Sequence, residues 1–249
     1  MAVATSVSER APQRYGDVIV VGGGCYGGYY VRQLRRAAQA GAITWRRLLV
    51  VDRDPACAVF CAGGDDLTMI VEEWEAFFAR YLADAADDPV LAADAAVVPS
   101  PLMPHLTFRW LKARAEARWP DQSVTLVPVE GSLATPWERD GDDGTRYASF
   151  ATWMCPINCI EPMTCPHTRD ARDWSLPVHL TRARGRQWER PAIFLHTSHR
   201  AYGVGMFDVA PLLAGDRAIA EAGPGEVAVV SASHCHGAVA VLRVGPAPA

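Results

Sequence analysis

Three cysteines in the middle of the chain are close enough in sequence to bind one metal ion or cluster. Cys155, Cys159 and Cys165 follow the spacing C-x3-C-x5-C, and a proline comes directly after the first and the third. Proline stiffens the backbone and removes an amide donor, which suits a loop folded around a metal. Thiolates are soft ligands that select zinc, copper(I) or iron–sulfur clusters. The three cysteines therefore predict a metal centre.

The identity of this metal stays open between an iron–sulfur cluster and zinc. Ferredoxin-type loops use C-x2-C-x2-C and zinc-binding loops prefer C-x2-C, so the spacing here matches neither. Three thiols need a fourth ligand, and we predict Cys235, which follows a predicted strand near the end of the chain. His167 is the alternative, but it lies so close to Cys165 that pointing both side chains at one ion would strain the loop.

Three histidines are the candidate catalytic residues. His234 and His236 flank Cys235, and His199 follows another predicted strand. Imidazole titrates near neutral pH, so each of them can donate or accept a proton. Ligands of open α/β sheets gather at the carboxyl ends of the strands, where most of the cysteines and several histidines of this chain are expected. We therefore predict one site along that rim.

A glycine-rich turn near the amino end has the spacing of a nucleotide-binding motif. The apolar run at 18–21 predicts a buried strand, and Gly22, Gly24 and Gly27 after it fit G-x-G-x-x-G. Apolar residues at helical spacing follow, and a second apolar run ends in Asp52. In such a unit the glycines allow a tight turn and the close approach of a pyrophosphate, and the terminal acid accepts ribose hydroxyls.

Residues 17–53 resemble the Rossmann-type NAD(P)- and FAD-binding proteins. The resemblance implies a nucleotide site that consists of Gly22, Gly23, Gly24, Cys25, Tyr26, Gly27, Asp52 and Arg53. The carboxylate of Asp52 would repel a 2′-phosphate, so NAD or FAD is expected rather than NADP, although Arg53 beside it leaves NADP as an alternative. A related domain with an empty crevice is a further alternative. The resemblance implies no particular reaction.

The order of the predicted elements indicates an α/β fold. Strands alternate with helices, which predicts a Rossmann-like, mainly parallel sheet with helices on both faces. We expect a single dinucleotide-binding domain at 15–245, with 130–190 as a cysteine- and tryptophan-rich insertion before the fifth strand, and disordered tails at 1–14 and 246–249. The other expected elements are helices at 68–83, 105–119 and 209–222 and strands at 95–98, 124–127, 192–195, 226–230 and 238–244.

Composition excludes several partner classes and says nothing about oligomeric state. The formal net charge is −4 and there is no long run of either sign, so no nucleic acid or anionic membrane is expected as a partner. No apolar stretch approaches the roughly 20 residues of a membrane span, and the first residues lack the pattern of a signal peptide. Seven cysteines without a secretory signal do not indicate a disulfide framework. These features predict a cytoplasmic protein.

Three functions are consistent with these motifs. The first is a redox protein, either an oxidoreductase or an electron-transfer component, in which a dinucleotide acts with the cysteine-ligated centre on a small-molecule substrate or a redox partner protein. The second is a non-enzymatic regulatory or docking protein that senses a nucleotide and contains structural zinc. The third is thiol chemistry, with Cys155 or Cys165 as the nucleophile and a histidine as the base.

Overall fold

The computed structural model describes residues 12–100, 105–157, 159–182, 188, 190 and 192–246 of the 249-residue chain. Its first elements are β1 (Gln13–Val21), α1 (Cys25–Gln39), β2 (Ile43–Asp52), α2 (Ala58–Ala62), β3 (Thr68–Val71), α3 (Trp74–Asp87), α4 (Pro89–Asp94) and β4 (Ala95–Val98). These are followed by α5 (Leu106–Arg118), β5 (Gln122–Val127), β6 (Trp137–Asp140), β7 (Arg146–Ser149), α6 (Leu176–Arg182), β8 (Ile193–His196), β9 (Ser198–Ala201), β10 (Val204–Asp208), α7 (Val209–Ala222), β11 (Gly225–Ala232) and β12 (His236–Pro246).

Over the described residues the strands form two mixed sheets of six strands each. The first sheet has the order β3-β2-β1-β4-β10-β9, in which the first four strands are parallel, β10 is antiparallel to β4, and β9 is antiparallel to β10. The second has the order β6-β7-β12-β11-β8, and β5 also pairs with β12. The prediction of one mainly parallel Rossmann-like sheet with helices on both faces is therefore wrong, although the chain is α/β.

The second sheet is organised around one long strand, β12, which pairs with three other strands. Strand β12 forms an antiparallel hairpin with β11, and it also pairs antiparallel with β5 and β7. The segment 130–190, predicted as an insertion before a fifth strand of one sheet, supplies β6 and β7 to this second sheet and α6 to one of its faces. Strand β8 pairs with β11 rather than with the first sheet.

Helices α3, α5 and α7 lie between the two sheets. Their apolar side chains share one core with the facing sides of both sheets, including Phe77, Leu111 and Leu212 from the helices and Val51 and Leu242 from the strands. Burying a large aliphatic or aromatic side chain stabilises the fold by about 1.5–3 kcal/mol. This shared core holds the carboxyl end of β4 close to the turn between β11 and β12, which positions the candidate site.

Several local predictions differ from the structure. The helix expected at 68–83 begins only at Trp74, because Thr68–Val71 pairs in parallel with β2 as strand β3. Strands β9 and β10 were not predicted. Gln13 and Arg14, expected in the disordered leading tail, are the first residues of β1, and Pro246, expected in the disordered trailing tail, is the last residue of β12. Residues 1–11 and 247–249 of the two predicted tails lie outside the described residues. Among the helices described, none is long and apolar enough to cross a bilayer.

Candidate functional site

The glycine turn between β1 and α1 requires glycine at two positions, Gly22 and Gly27. Gly22 has φ +88°, a backbone conformation that residues other than glycine rarely adopt. A Cβ at Gly27 would overlap the carbonyl oxygen of Gly22, so the helix approaches the strand closely there. At Gly24 a Cβ would meet nothing within 4 Å. The turn is therefore tightly packed on one side and open on the other.

The open side of the turn exposes the amino end of α1. Gly24 is the N-cap, and no side chain caps the helix or places a negative charge in its first turn. The adjoining Cys25 and Tyr26 are exposed. Free amide groups at a helix amino end attract anions such as phosphates. The predicted nucleotide residues of the turn are thus brought together with a free amide end, and no described side chain fills the space beside Gly24.

Asp52, at the end of β2, lies beside the same turn. Its Oδ2 accepts the backbone N–H of Gly23 at 2.7 Å, and its Oδ1 accepts that of Asp54 at 2.9 Å. The two bonds fix the carboxylate while leaving lone pairs on both oxygens. Arg53, next in sequence, points instead toward Glu73, with 3.6 Å between Nη1 and Oε1. The acid predicted to bind ribose is therefore anchored at the turn.

A cleft of about 320 Å³ opens beside the carboxyl end of β4. Pro99 and Ser100 form one wall, and residues 231–233 and 236–238 at the turn between β11 and β12 form another. Because Val20 of β1 pairs with Val98 of β4, this wall neighbours the glycine turn at the same end of the first sheet. The cleft has mostly apolar walls with several hydroxyl groups, as small-molecule sites do.

A second cavity, of about 340 Å³, contains two of the predicted metal ligands. Cys155 and Cys159 line it together with His199, His236 and Glu161. His236 and Ser233 line both this cavity and the cleft beside β4, so the two spaces share a wall. The structure therefore brings two predicted cysteines and two predicted catalytic histidines around one space, although these residues come from distant parts of the chain.

Glu161 holds the loop that contains Cys155, Cys159 and Cys165, called here the cysteine loop, against the second sheet. Its buried carboxylate accepts the Ser233 hydroxyl at 2.6 Å and the backbone N–H groups of His234 and Cys235 at 2.9 and 3.0 Å. Burial alone would raise the pKa of Glu161, but the Ser233 bond, the nearby His199 and the two backbone N–H groups outweigh it and lower the pKa. Glu161 is therefore a charged group that ties the cysteine loop to residues 233–235 of the second sheet and its turn. Its positive φ, +48°, suits this bent backbone and has no signal in the sequence.

Backbone N–H groups donate hydrogen bonds to two of the loop thiols. The N–H of Glu161 lies 3.4 Å from the Cys159 sulfur. The N–H of Thr168, and more weakly that of His167, bonds to the thiol of Cys165 and lowers its pKa against the opposing effect of burial. Such N–H donors stabilise a thiolate over a thiol. The Cys165 sulfur is thus in surroundings that favour metal binding.

Cys165 lies in a short hairpin. Thr164 and Ala171 pair as an antiparallel bridge, the N–H of Cys165 bonds to Asp170 at 2.9 Å, and Arg169 turns the chain with φ +65°. Cys155 differs from the other two cysteines of the loop, since burial, followed by the neighbouring Cys159, raises its pKa. These bonds fix the Cys165 sulfur within an irregular loop.

Cys235, the predicted fourth ligand, is in a different environment. Its buried sulfur accepts the indole N–H of Trp174 at 3.3 Å, and burial raises its pKa to about 12. It does not line the cavity that Cys155 and Cys159 share. Within the part of the chain that the structure describes, no three His, Cys, Asp or Glu side chains already stand together so that they could hold a metal ion. The predicted ligand set is therefore not preassembled.

Two histidines have their proton positions fixed by their partners. The Nδ1 of His199 lies 3.0 Å from the carbonyl oxygen of Gly203, so Nδ1 carries the proton. The Ser149 hydroxyl donates its one proton to Ala151, so the Nδ1 of His236, 2.9 Å away, must donate to Ser149. In both rings Nε2 then has a free lone pair.

His234, the third predicted catalytic histidine, lies outside the cavity wall. Its Nδ1 is 2.9 Å from the hydroxyl of Ser175, and its ring packs edge-on against His196. Burial, then the nearby Arg172, lowers the pKa of His234, and burial also lowers that of His236. Both rings are therefore held in the neutral form at neutral pH. The backbone N–H of His234, rather than its ring, makes the contact with Glu161.

Sequence reasoning missed the residues that hold the site together. Ser149 and Ser233, which bond His236 and Glu161, carry no spacing signal, and each meets its partner across more than 70 positions of sequence. Glu161 lies between Cys159 and Cys165, but nothing in the neighbouring sequence distinguished a buried carboxylate that holds the loop from a carboxylate on the surface. Each of the seven cysteines, all of which lie within the described residues, is free in the structure.

A protein-family model with the description "Uncharacterized protein, C-terminal domain" matches residues 107–245. The match covers more than half of the chain, so the chain belongs to this family. The matched span contains the second sheet, the cysteine loop and the histidines, and it does not include the glycine turn. Neither the curated proteins nor the solved structures gave a significant match.

Proposed function

We propose that the chain is a dinucleotide-binding redox protein, either an oxidoreductase or an electron-transfer component, with a cysteine-ligated metal or iron–sulfur centre beside its nucleotide crevice. The observation that carries this proposal is the continuity of the spaces: the cleft adjoins the glycine turn through the end of β4 and shares Ser233 and His236 with the cysteine cavity. A nucleotide and a metal centre would then act on the same face of the molecule.

The residues at the glycine turn suit a pyrophosphate. The free amide end of α1 would bind the phosphate oxygens, and the open space beside Gly24 would admit them. Asp52 is anchored by its bond to Gly23 and keeps lone pairs for ribose hydroxyls. NAD or FAD fits this acid better than NADP, whose 2′-phosphate it would repel. When bound, such a dinucleotide supplies hydride chemistry that amino acids lack.

His236 is the proton acceptor in this proposal. A small substrate that gives up a hydride in the cleft also releases a proton, and His236, whose Nε2 is free, lines the cleft. Ser149 fixes the tautomer, because its hydroxyl has no second proton to give. Burial lowers the pKa of His236, which keeps the ring neutral and able to accept a proton at neutral pH.

The proposed partners follow from the same features. A small-molecule substrate or a redox partner protein fits the cleft and the cysteine loop, whereas the balanced charge of the chain favours neither nucleic acid nor a membrane. The proposed compartment is the cytoplasm, where thiols such as these stay reduced.

Absorption spectroscopy and metal analysis of the anaerobically purified chain test this proposal. Broad visible absorption with bound iron, bleached on addition of NADH, is the expected result for an iron–sulfur centre, and a structured yellow spectrum is expected for bound flavin. A protein with neither metal nor affinity for NAD or FAD would overturn the proposal. The same preparation identifies the second candidate function, for which bound zinc and no visible absorption are expected.

That second candidate is the regulatory or docking protein with structural zinc. It is favoured by four large apolar side chains that the cysteine loop exposes: Met154, Ile157, Ile160 and Met163. Exposed apolar groups concentrated in one loop are typical of a surface that contacts another protein. In this function nucleotide binding would change the affinity for a partner, and no substrate would be turned over.

A further inference from the structure

His199 is oriented as metal-binding histidines usually are. Its Nδ1–H donates to the carbonyl oxygen of Gly203, and this second bond leaves Nε2 as the free nitrogen. A backbone carbonyl on the far nitrogen fixes the tautomer and the ring orientation of histidines that bind metals. The ring lines the same cavity as Cys155 and Cys159. Its position on β9, which pairs with β10, is set by the first sheet, whereas the cysteines lie on the loop.

We infer that His199 is the fourth ligand of a Cys3His zinc site that it forms with Cys155, Cys159 and Cys165. This inference rests on the metal half of the proposed function and specifies its ligands, and its ion, zinc, is the one that the second candidate function predicts. Three thiolates and one imidazole are a common set for a structural zinc ion. His199, which the sequence suggested as a catalytic residue, is then a metal ligand, and proton transfer in the cleft belongs to His236.

Backbone N–H groups of the loop donate hydrogen bonds to two of the three proposed sulfur ligands. Cys159 accepts the N–H of Glu161, and Cys165 accepts those of Thr168 and His167 at the tip of its hairpin. Two of the loop's residues with positive φ stand beside these bonds: Glu161 is the donor to Cys159, and Arg169 follows the two donors to Cys165. Cys155, Cys159 and His199 line the same cavity.

The other possible fourth ligands are engaged elsewhere. Cys235 is buried, and its sulfur already accepts the indole N–H of Trp174, whereas burial and the proximity of Cys165 raise the pKa of the Cys155 thiol. His167 stacks flat on Trp153, with 4.6 Å between ring centroids. His236 also has a free Nε2, but it stands in the wall between the cavity and the cleft, where a substrate can reach it.

Zinc binding must draw the cysteine loop inward, because the described side chains are not yet assembled around one point. The described part of the loop at 153–163 contains neither helix nor strand, so it can move while Glu161 keeps it tethered to the second sheet. Metal binding and loop ordering are therefore expected to be coupled. Amide hydrogen exchange at 153–170 should slow when zinc is added to metal-free protein.

Zinc content and zinc affinity of the full-length chain and its variants test the inference. We expect about one zinc per chain in the unmodified protein, and zinc affinity weakened more than roughly 100-fold in His199→Ala, since loss of even an outer partner costs 10–100-fold. Cys155→Ser, Cys159→Ser and Cys165→Ser should behave like His199→Ala. The matched controls are His236→Gln and Cys235→Ser, which should retain zinc.

X-ray absorption of the unmodified zinc-loaded protein gives a second measurement that does not depend on any variant folding. Three sulfurs at about 2.3 Å and one nitrogen at about 2.0–2.1 Å are expected. Four sulfurs, or full zinc retention in His199→Ala, would overturn the assignment of His199. An unmodified protein that binds no metal would remove the metal half of the proposed function as well, whereas calorimetry with NAD and FAD reports separately on the nucleotide half.

Discussion

The glycine turn and the cysteine loop are built in opposite ways. At the turn, conformation comes from residues close in sequence: Gly22 adopts a positive φ, and Gly27 packs on its carbonyl. In the cysteine loop, irregular backbone is held by long-range bonds, among them those that Glu161 accepts from residues 233–235. The first region is fixed by its own strand and helix, and the second is fixed only when two distant segments meet.

This difference predicts where each region is vulnerable. A turn whose geometry comes from steric fit should fail when a side chain is added, because neither strand nor helix can move away. A loop held by a buried carboxylate should fail when that charge is removed or protonated, because the buried N–H donors then lose their partner. The predictions below test this contrast, beginning with the largest effect.

Glu161→Ala should be the most destabilising of these changes. It leaves the N–H groups of His234 and Cys235 and the hydroxyl of Ser233 without their acceptor, and lost bonds to a buried charge cost roughly 1–3 kcal/mol each. We expect about 4 kcal/mol less unfolding free energy, measured by urea denaturation. Glu161→Gln keeps one acceptor oxygen and should lose about half as much. Equal stability of all three proteins would show that the loop needs no clamp.

Gly27→Ala should destabilise the first sheet by about 2–3 kcal/mol. The added Cβ would overlap the carbonyl oxygen of Gly22, and the helix or the strand must shift to accommodate it. The matched control is Gly24→Ser, whose Cβ meets nothing within 4 Å and whose φ of −75° suits any residue. Serine is also a good N-cap, so this control should stay within about 0.5 kcal/mol of the original stability. If the two variants are equally stable, the close packing at Gly27 is refuted.

Acid should weaken the first sheet and the cysteine loop through two buried carboxylates, Asp17 and Glu161, by about 1–3 kcal/mol in total. Burial would raise the pKa of Asp17, but Arg47, Tyr81 and Arg46 outweigh it, and Glu161 likewise has a lowered pKa. A carboxyl with a lowered folded pKa adds stability above its unfolded pKa of about 4, and that stability is lost as pH falls through the folded value. Urea midpoints between pH 7 and pH 3 should therefore decrease.

The variants separate the contributions of the two carboxylates to this pH dependence. In Glu161→Gln the decrease on acidification should be smaller, because one of the two groups no longer titrates. Asp17→Asn should reduce it as well, since Asp17 joins β1 to Arg47 of β2 and to Tyr81 of α3. An unchanged slope in both variants would contradict the assignment of these two groups.

The sequence predicted what depends on local pattern. Strand β4 at Ala95–Val98 and helix α7 at Val209–Ala222 have the expected bounds, because an apolar run between turn residues and a helical period are local signals. Thr68–Val71 was assigned to a helix because its apolar residues also fit the period of the helix that follows. Its pairing with β2 comes from the sheet, which overrides a short ambiguous run.

Sheet membership could not be read from the order of the elements. Strand β5 follows a helix, as a parallel strand would, yet it pairs antiparallel with β12 more than a hundred residues later. The same limit applies to the site. The cysteine spacing identified the loop, but the partners that place it, Ser233 for Glu161 and Gly203 for His199, are contacts that no local pattern encodes.

Calorimetric titration of the full-length chain with NAD, NADP and FAD tests the central claim most directly. The proposed function predicts saturable binding of NAD or FAD to the unmodified protein, weaker binding of NADP, and no binding to Gly24→Val, whose side chain would fill the open space at the amino end of α1. Gly24→Ser provides the folded reference for that variant. Absence of binding by all three dinucleotides to the unmodified protein would contradict the claim.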